Sequence, residues 1–397
     1  MINVYSEIGK LRKVLVHTPG KEVANVSPQR LDELLLSALI EPESAKEEHE
    51  KYINILKDND VEVVQLVDLL VETFESCNKK QKEEFIWKWI SESKPEIKNE
   101  KIQDKVFKYI NSLKTVNELI LKMMHGIFYE EIKEKSKLDF VVDPMPNLYF
   151  TRDPFASIGN GVSINKMKYE TRRRETIFSE FIFTYHPVYK DTPKYYNRNS
   201  SGTIEGGDIF IYNSETLVIG LSERTSKKAI IQIAKNIKKN KECKFKYIYV
   251  VNVPKAKNLM HLDTWLTMID YDKFIYSPNI NSSIKFYKID LKKPDEMVHL
   301  KITLEAFLKR ITKRKPILIP VAGKNAKQLD IDIETHFDAT NYLVIEPGVI
   351  VGYSRNKKTE EALKKAGVKV LAFKGNQLSL GMGSARCMSM PLKRNDI

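Results

Sequence analysis

Hydrophobic and polar positions alternate in pairs of short runs along most of the chain after residue 140. Each pair places two runs rich in β-branched and aromatic residues around a turn, which predicts a β-hairpin. A helical stretch and a further apolar run follow some of the hairpins, so the repeating unit is strand–turn–strand–helix–strand. The pattern occurs in TRDPFASIGNGVSIN, EGGDIFIYNSETLVIG, HLDTWLTMIDYDKFIYS and HFDATNYLVIEPGVIVGYS.

The N-terminal segment GKLRKVLVHTPG, with the helices and strand predicted after it, is a candidate for a diverged fifth copy. Repeated units of this kind pack radially or as solenoids, because each unit must cover the apolar face of its neighbour. The sequence therefore predicts a mixed α/β fold. Five such units closed into a ring would bring corresponding strand ends to a common centre.

Helical periodicity interrupts the hairpin pattern in two places. Residues 27–57 predict two helices, with Leu35 on the apolar face of the first. Residues 71–136 predict several amphipathic helices with lysine-rich outer faces. We expect this second segment to be a helical bundle inserted into a catalytic α/β unit formed by residues 1–70 and 137–397.

The composition of the 397-residue chain is ordinary for a soluble globular protein, with 42% hydrophobic and 29% charged residues. No apolar run reaches the roughly 18 residues of a membrane helix, and the first residues lack the pattern of a signal peptide. The three cysteines, Cys77, Cys243 and Cys387, are odd in number and far apart, which argues against a disulfide framework. We expect a cytoplasmic protein without a membrane partner.

The formal net charge of +13 raises the possibility of a polyanionic partner such as nucleic acid. However, the basic residues are spread along the chain, and the sequence contains no RNP motif, zinc-finger spacing or basic-leucine heptad. Phosphate-loop and zinc-protease motifs are absent as well. The pattern favours a lysine-rich surface and no specific nucleic-acid partner.

Acidic residues mark the start of the first strand in three of the repeats. Asp153 precedes one hairpin, Glu205 precedes the next, and Asp263 follows His261 at the start of a third. In a closed ring these positions converge and form an acidic pocket. Because the chain as a whole is basic, local acidity of this kind indicates a cationic ligand.

Two of these motifs have a structural interpretation beside the functional one. His261 and Asp263 would point to the same face of a strand, where the carboxylate could tune the imidazole. A bare H-x-D pattern is also typical of a structural histidine, and His336 and Asp338 repeat it. The glycines within Glu205–Asp208 allow close approach of backbone to a ligand, or they form a turn between solvated acids.

Cys387 follows the small-residue run GMGSA and Arg386. A neighbouring cation stabilises a thiolate, which predicts a reactive cysteine on a mobile loop. A lone cysteine is more often buried and inert, the interpretation that we give Cys77 and Cys243. A thiol, an imidazole and several carboxylates together suit nucleophilic attack on a guanidinium carbon. Carboxylates bind its N–H groups, the thiolate attacks, and the imidazole protonates the departing ammonia.

Six motifs, in order, resemble those of the arginine deiminase family in the guanidino-group modifying superfamily. They are PNLYFTRDP, RRRET, EGGD, SERT, NLMHLDTWLTM and GNQLSLGMGSARCMSMPL. The resemblance runs from GKLRKVLVHTPG to the C-terminus. It implies the pentein fold, a five-bladed pseudo-symmetric α/β propeller of ββαβ repeats with an inserted α-helical bundle. It also implies hydrolysis of L-arginine to L-citrulline and ammonia.

The resemblance implies roles for individual residues. Cys387 matches the nucleophile and His261 the general acid and base, which leaves His336 as a structural residue. Asp153 and Asp263 would hold the guanidinium. The remaining catalytic match is Glu205, and the substrate-binding matches are Asn147, Arg172, Arg224, Asp208, Gly381 and Met382. The family implies no metal or organic cofactor, and it implies a homodimer or larger assembly.

The glycine-rich loop departs from the family pattern. Some members carry a Gly-Arg-Gly run whose arginine reaches the substrate carboxylate, whereas this chain has Gly381–Gly383 with methionine at the centre. Binding of the α-carboxylate would then depend more on Arg172 and Arg224, while Arg386 adjoins the cysteine. An α-carboxylate site disfavours agmatine, which lacks that group.

The sequence leaves two alternative functions open. A hydrolase for agmatine or methylated arginine would share the thiol, imidazole and carboxylate chemistry. A catalytically inactive relative could instead bind anionic surfaces through its net charge of +13. Turnover of arginine, agmatine and dimethylarginine distinguishes the first alternative, and DNA binding without turnover would favour the second.

Overall fold

A computed structural model describes residues 1–93, 99–254, 260–280 and 284–397. The strands are β1 (Leu11–Val16), β2 (Glu62–Gln65), β3 (Ile127–Phe128), β4 (Phe140–Val142), β5 (Phe155–Ile158), β6 (Gly161–Ile164), β7 (Lys194–Tyr196), β8 (Ile209–Asn213), β9 (Thr216–Leu221), β10 (Tyr247–Asn252), β11 (Leu266–Met268), β12 (Lys273–Tyr276), β13 (Lys285–Asp290), β14 (Val298–Leu300), β15 (Ile317–Pro320), β16 (Leu343–Glu346), β17 (Val349–Tyr353), β18 (Lys369–Phe373) and β19 (Met390–Arg394).

Helices alternate with these strands along the chain, which confirms the predicted mixed α/β fold. They are α1 (Lys21–Ala24), α2 (Pro42–Asp58), α3 (Leu66–Ser76), α4 (Lys79–Ser91), α5 (Glu100–Asn111), α6 (Val116–His125), α7 (Glu170–Arg173), α8 (Thr176–Tyr185), α9 (Lys227–Lys239), α10 (Leu304–Thr312), α11 (Gln328–His336) and α12 (Lys357–Lys365). In the part of the chain that the structure describes, none of these helices combines the length and the apolar character that crossing a membrane requires.

Five sheets of the described residues share one arrangement, an antiparallel strand pair with a third strand parallel to one of its members. Their strand orders contain β5-β6-β7, β8-β9-β10, β11-β12-β15, β16-β17-β18 and β19-β1-β2. A helix lies between the two parallel strands of each sheet: α8, α9, α10, α12 and α2 in the same order. Parallel strands require such a crossover. The closed five-bladed ring stays a prediction.

The second of these sheets shows how sequence pattern and burial agree. Strand β9 is buried on both faces along nearly its whole length, as expected for a central strand covered by a helix. Helix α9 begins after Ser226, whose side chain accepts a hydrogen bond from the N–H of Ala229. Its apolar stripe includes Ile230, Ile233 and Ile237, which pack toward the sheet while lysines face solvent.

The two ends of the chain meet in one sheet. Strand β1 pairs antiparallel with β19, where Leu15 lies opposite Met390, and parallel with β2, where Val14 lies opposite Val63. The N–H of Asn3 also donates to the carbonyl of Leu392. Pairing of the chain ends holds the segment just before β19, which contains Cys387, beside the starts of the other repeats.

Helices α3 to α6 cover most of the segment predicted to be an inserted bundle. Helices α4 and α6 begin with capping boxes at Asn78 and Thr115. The apolar faces of α3 to α6 share one hydrophobic core with α8, and the rings of Phe85 and Phe181 stack with centroids 3.8 Å apart. The division into an inserted bundle and a catalytic unit stays a prediction.

Two helices are predicted within residues 27–57, and the prediction of the first is wrong. A single 3-10 turn, Pro28–Arg30, replaces it, and Leu35 has a left-handed φ of 60°. Tertiary hydrogen bonds use the backbone here, because the side chain of Asn147 donates to the carbonyl of Leu34 and the N–H of Ser37 donates to that of Leu380. The second helix, α2, is confirmed and begins at Pro42.

Candidate active site

The acidic residues that begin successive repeats do converge, as the repeat pattern predicts. Asp153 lies two residues before β5, and Glu205 precedes the 3-10 turn Gly206–Asp208 that leads into β8. His261 precedes a similar turn, Leu262–Thr264, before β11. The expectation that His261 and Asp263 share one face of a strand is therefore wrong, because a 3-10 turn carries Asp263 into the interior.

The loops that carry Asp153 and Cys387 are joined through their backbones. The N–H of Arg152 donates to the carbonyl of Cys387 over 3.0 Å, and its Nε donates to the carbonyl of Arg386 over 3.1 Å. On the other side, Nδ2 of Asn165 donates to the carbonyl of Asp153 over 2.7 Å. These bonds fix a carboxylate and the thiol relative to each other.

His261 lies between two carboxylates. Its Nε2 is 2.8 Å from Oε2 of Glu205, and its Nδ1 is 3.9 Å from Oδ1 of Asp153. The imidazole also packs onto Gly207, where a Cβ atom would stand only 2.6 Å from Nδ1, so a larger residue would displace the ring. Burial lowers the pKa of His261, but the surrounding carboxylates outweigh it and raise the pKa to about 9. The side chain is therefore an imidazolium at neutral pH.

Cys387 is buried, with 6% of its surface exposed. Its Sγ lies 3.8 Å from Oδ2 of Asp263. Burial raises the pKa of the thiol, and Asp263 and Asp153 raise it further, to well above the ordinary value. Arg386 lowers the pKa without reversing the shift. The expected stabilising effect of Arg386 on the thiolate is therefore present, but burial and the surrounding carboxylates outweigh it.

Each of the converging carboxylates binds a guanidinium group of the protein itself. Arg172 donates to Asp153 over 2.8 Å, and Arg224 donates to Glu205 over 3.1 Å. The third such pair joins the fully buried Arg386 to Asp263 over 2.8 Å. Burial raises the pKa of Glu205, but Arg224 and His261 outweigh it and lower the pKa to about 2. All three carboxylates therefore already have a planar cation of the protein as a partner.

Arg386 belongs to the support of the site and not to its lining. Its Nε donates to Oε1 of Glu7 over 3.0 Å, and its Nη2 donates to the carbonyl of Ile209 over 2.9 Å. The guanidinium also stacks over the ring of Phe210 at 3.7 Å. Since Nη1 binds Asp263, all three nitrogens of this guanidinium have hydrogen-bond acceptors within the protein.

A small cavity of about 20 Å³ lies beside Cys387, with room for roughly one water molecule. Eight of the residues matched to the family line it: Asn147, Asp153, Arg172, Arg224, His261, Gly381, Met382 and Cys387. Glu205 and Asp263 lie directly behind the lining and are fully buried. Gly381 packs so closely on Tyr149 that a Cβ atom would stand 1.7 Å from the phenol oxygen.

Asp208 lies outside the cavity lining, unlike the other residues matched to substrate binding. Its Oδ1 accepts from the N–H of Leu262 over 2.8 Å, and its Oδ2 accepts from the hydroxyl of Ser222 over 2.6 Å. Asp208 therefore holds the turn that carries His261. His336 ends α11 with its ring against Phe337, and it is also outside the lining.

Four lining residues were missed by sequence reasoning: Leu35, Phe150, Met260 and Thr264. Phe150, Met260 and Thr264 lie inside or beside the motifs quoted above, so proximity to those motifs could have indicated them. Leu35 had no such signal, because the pattern around it predicts a helix.

Asp153, Glu205 and His261 form a group that could in principle hold a metal ion, with ligand atoms within 4.8 Å of one another. Two guanidinium groups contact the carboxylates of this group, from Arg172 and Arg224. Positive charges at that distance oppose a second cation. The carboxylate oxygens that a metal ion would need are thus already paired with guanidinium groups of the protein.

Comparison with known proteins decides the family. A family model described as arginine deiminase matches residues 32–394. The chain belongs to the arginine deiminase family. A relative named arginine deiminase from Metamycoplasma arthritidis is 53% identical over 399 residues, covering 100% of this chain and 97% of that protein. Another of that name, from Treponema denticola, is 44% identical over 412 residues, covering 100% and 99%.

Solved structures place this arginine deiminase family member among pentein-fold enzymes. A mutant dimethylarginine dimethylaminohydrolase from Pseudomonas aeruginosa, complexed with citrulline, has a TM-score of 0.54 at 15% identity, covering 96% of this chain and 99% of its own. The N-terminal domain of a cyanobacterial arginine dihydrolase, bound to product, also has a TM-score of 0.54, at 14% identity, covering 96% and 97%. At these identities the likeness shows the shared fold.

Proposed function

We propose that the protein hydrolyses L-arginine to L-citrulline and ammonia through a covalent thiouronium intermediate on Cys387, as a step of arginine catabolism. One observation carries the proposal beyond family membership. Oδ1 of Asp263 is buried and has no hydrogen-bond partner among the residues that the structure describes, although Oδ2 of the same carboxylate adjoins the thiol. A buried carboxylate oxygen without a donor suits an N–H group of a guanidinium.

In this proposal Asp153 and Asp263 hold the substrate guanidinium, and Glu205 contacts it and His261. The pairs that these carboxylates make with protein arginines support the assignment, because the same carboxylates already accept from guanidinium N–H groups. The α-carboxylate and its neighbouring groups would bind to residues on the cavity wall, Asn147, Arg172 and Arg224. Nε of Arg224 has no partner in the described part of the chain and is one available donor.

Substrate entry requires the cover of the site to move, because a cavity of about 20 Å³ cannot hold an arginine side chain. Leu35 and Met382 form part of this cover, and both have left-handed backbones with φ of 60° and 63°. This conformation is unfavourable for residues other than glycine. Gly381 lies beside Met382 and gives the loop freedom to open.

The first half of the reaction forms the C–S bond. The positive charge of the bound guanidinium lowers the pKa of Cys387, and the thiol releases its proton as the complex forms. The thiolate attacks the guanidinium carbon and forms a tetrahedral adduct. His261, an imidazolium at neutral pH, gives its proton to one amino group, and the C–N bond breaks with release of ammonia. A positively charged thiouronium on Cys387 and a neutral imidazole remain.

The second half breaks the C–S bond. His261 takes a proton from water, and the hydroxide attacks the same carbon. The adduct collapses, expels the Cys387 thiolate and loses the hydroxyl proton, which leaves neutral citrulline. Ammonia and the expelled Cys387 thiolate each take up one of the two released protons, so an arginine cation and water become citrulline and an ammonium ion, and the thiol is regenerated. No metal or organic cofactor takes part in these steps.

The decisive test is release of citrulline and ammonia from L-arginine by the wild type, Cys387→Ser and the matched control Cys243→Ser. We expect equal molar amounts of the two products from the wild type and the control, and none from Cys387→Ser. Mass spectrometry of acid-quenched wild type should detect the thiouronium adduct on Cys387. A folded wild type that turns over agmatine or dimethylarginine but not arginine would refute the substrate assignment.

We also propose a cytoplasmic homodimer in which residues 71–136 form an inserted helical bundle that contributes to the contact. Free thiols at Cys77, Cys243 and Cys387 support a reducing compartment. Light scattering should give twice the 46.0 kDa chain mass. A monomeric mass at micromolar concentration would contradict the assembly without affecting the proposed reaction.

A further inference from the structure

We propose that Asn341 is a positioning residue for the nucleophile, and that the segment around it holds Cys387 and Asp263 in register. The proposal rests on the proposed function, since it assigns Asn341 a part in the reaction of Cys387. Asn341 lies between α11 and β16, at the start of the fourth repeat, and it is fully buried. It does not line the cavity beside Cys387.

Three backbone N–H groups of the nucleophile loop donate to Asn341. Its Oδ1 accepts from the N–H of Cys387 over 3.0 Å and from that of Ser384 over 3.3 Å. Its main-chain carbonyl accepts from the N–H of Arg386 over 3.2 Å. Residues 384–387 lie outside helices and strands, so these bonds replace the regular backbone bonds that would otherwise fix the loop.

The orientation of the Asn341 amide follows from its partners. Two N–H donors face one side of the amide, and only the carbonyl oxygen can accept from them. Nδ2 therefore faces away, and within the described residues it has no hydrogen-bond partner although it is buried. A buried donor without a partner is unfavourable for folding. A side chain without an unpaired donor would avoid that cost at this position. The presence of asparagine here therefore fits a role in function.

The neighbouring residue performs a parallel task on the other side of the thiol. Oγ1 of Thr340 donates to the main-chain carbonyl of Asp263 over 2.9 Å. One short segment thus contacts the backbones of both groups that meet at 3.8 Å, the Cys387 thiol and the Asp263 carboxylate. The fourth repeat leaves its own histidine, His336, outside the site but supplies the support between two active residues.

Loss of the Asn341 amide should affect the chemical step more than substrate binding. A displacement of about 1 Å at a nucleophile costs on the order of 100-fold in rate. We therefore expect Asn341→Ala to lower kcat by about 100-fold and to change KM by less than about threefold. The N–H groups of Ser384 and Cys387 would lose their acceptor, and the loosened thiol should react faster with iodoacetamide.

The test compares Asn341→Ala with Asn356→Ala. Asn356 is a matched control because it is a buried asparagine of the same repeat, and its Nδ2 donates to a backbone carbonyl, that of Phe337, over 2.9 Å. For each variant, kcat and KM are measured together with the pH dependence of iodoacetamide labelling at Cys387, followed by peptide mass spectrometry. Labelling of Cys77 and Cys243 provides an internal reference.

We expect only Asn341→Ala to change both kcat and the labelling of Cys387. Equal labelling profiles and equal kcat in the two asparagine variants would reduce Asn341 to a structural residue and overturn the proposal. If Asn341→Ala does not fold, Asn341→Ser, with its shorter acceptor, is judged by the same two readouts. A wild type without arginine turnover would refute the proposed function, and the labelling comparison would still decide whether Asn341 positions Cys387.

Discussion

Nη1 of Arg172 lies 2.8 Å from Oδ2 of Asp153, and the other edge of the same guanidinium binds Glu175 over 2.9 Å. One buried arginine therefore neutralises two carboxylates: that of Asp153, which we assign to substrate binding, and that of Glu175 behind it. Burial raises the pKa of Glu175 to about 7 even though Arg172 lowers it. The electrostatic balance of the site depends on this arginine.

Removal of Arg172 should destabilise the protein in a pH-dependent way. We expect Arg172→Ala to lower the free energy of unfolding by about 3–5 kcal/mol, because two buried carboxylates lose their counter-ion. The loss should be larger at pH 8 than at pH 5.5, since acids with raised folded-state pKa values bind protons more readily in the folded protein. Urea unfolding at both pH values measures this. The more exposed Arg173→Ala is the control, and an equal loss at both pH values in Arg172→Ala would contradict the explanation.

Asp263 should have opposite effects on catalysis and on thiol reactivity. Asp263→Asn removes a charge that raises the pKa of the Cys387 thiol, so iodoacetamide should label Cys387 faster at pH 8. The same change removes an assigned contact to the substrate guanidinium, and we expect kcat/KM for arginine to fall by about 100-fold or more. Peptide mass spectrometry and steady-state kinetics give the two values. Slower labelling in the variant would show that the Asp263 charge does not control the thiol.

The pair of His261 and Glu205 should appear in the pH dependence of stability. The pKa of His261 is raised from 6.5 to about 9, so its contribution is fully present below pH 6.5 and is lost as the pH rises through 9. That contribution is on the order of 3 kcal/mol. We expect urea unfolding of the wild type to show this decline between pH 6.5 and 9.5.

In Glu205→Gln the decline should become much smaller, because the imidazole loses a carboxylate 2.8 Å away while remaining buried. His299→Asn, at an exposed histidine, should keep the wild-type profile. If the stability of Glu205→Gln has the same pH dependence as that of the wild type, the pair of His261 and Glu205 is not its cause.

Arg224 tests the assignment of the α-carboxylate. If Arg224 binds that group, Arg224→Gln should raise KM for arginine by roughly 10- to 100-fold, the loss expected for a charged hydrogen bond. Agmatine has the same guanidinium but no carboxylate, so Arg224→Gln should lower its weaker turnover by a smaller factor. The measured quantity is the ratio of kcat/KM for arginine to kcat/KM for agmatine. Any effect of the substitution on Glu205 changes both values alike and therefore cancels in this ratio. An unchanged ratio would place the carboxylate elsewhere.

Local pattern was sufficient for much of the architecture. Period-2 runs around turn residues predict the hairpins, such as that of β8 and β9 around Asn213, because alternation and turn chemistry act between neighbours in the chain. The position of Asp153, Glu205 and His261 before the first strand of each repeat also follows from the chain order. The quoted motifs identified the family from sequence.

Tertiary structure decided which groups those residues contact. Pairing of Arg386 with Glu7, of Arg172 with Asp153, and of Cys387 with Asn341 joins residues that local sequence does not relate. Likewise, Leu35 leaves a helical pattern because distant backbone and side-chain groups take its neighbours' hydrogen bonds. The sequence does not fix the surroundings of a charged group or a thiol. Packing decides how deeply the group is buried and which residues lie beside it, and these determine its pKa and its partner.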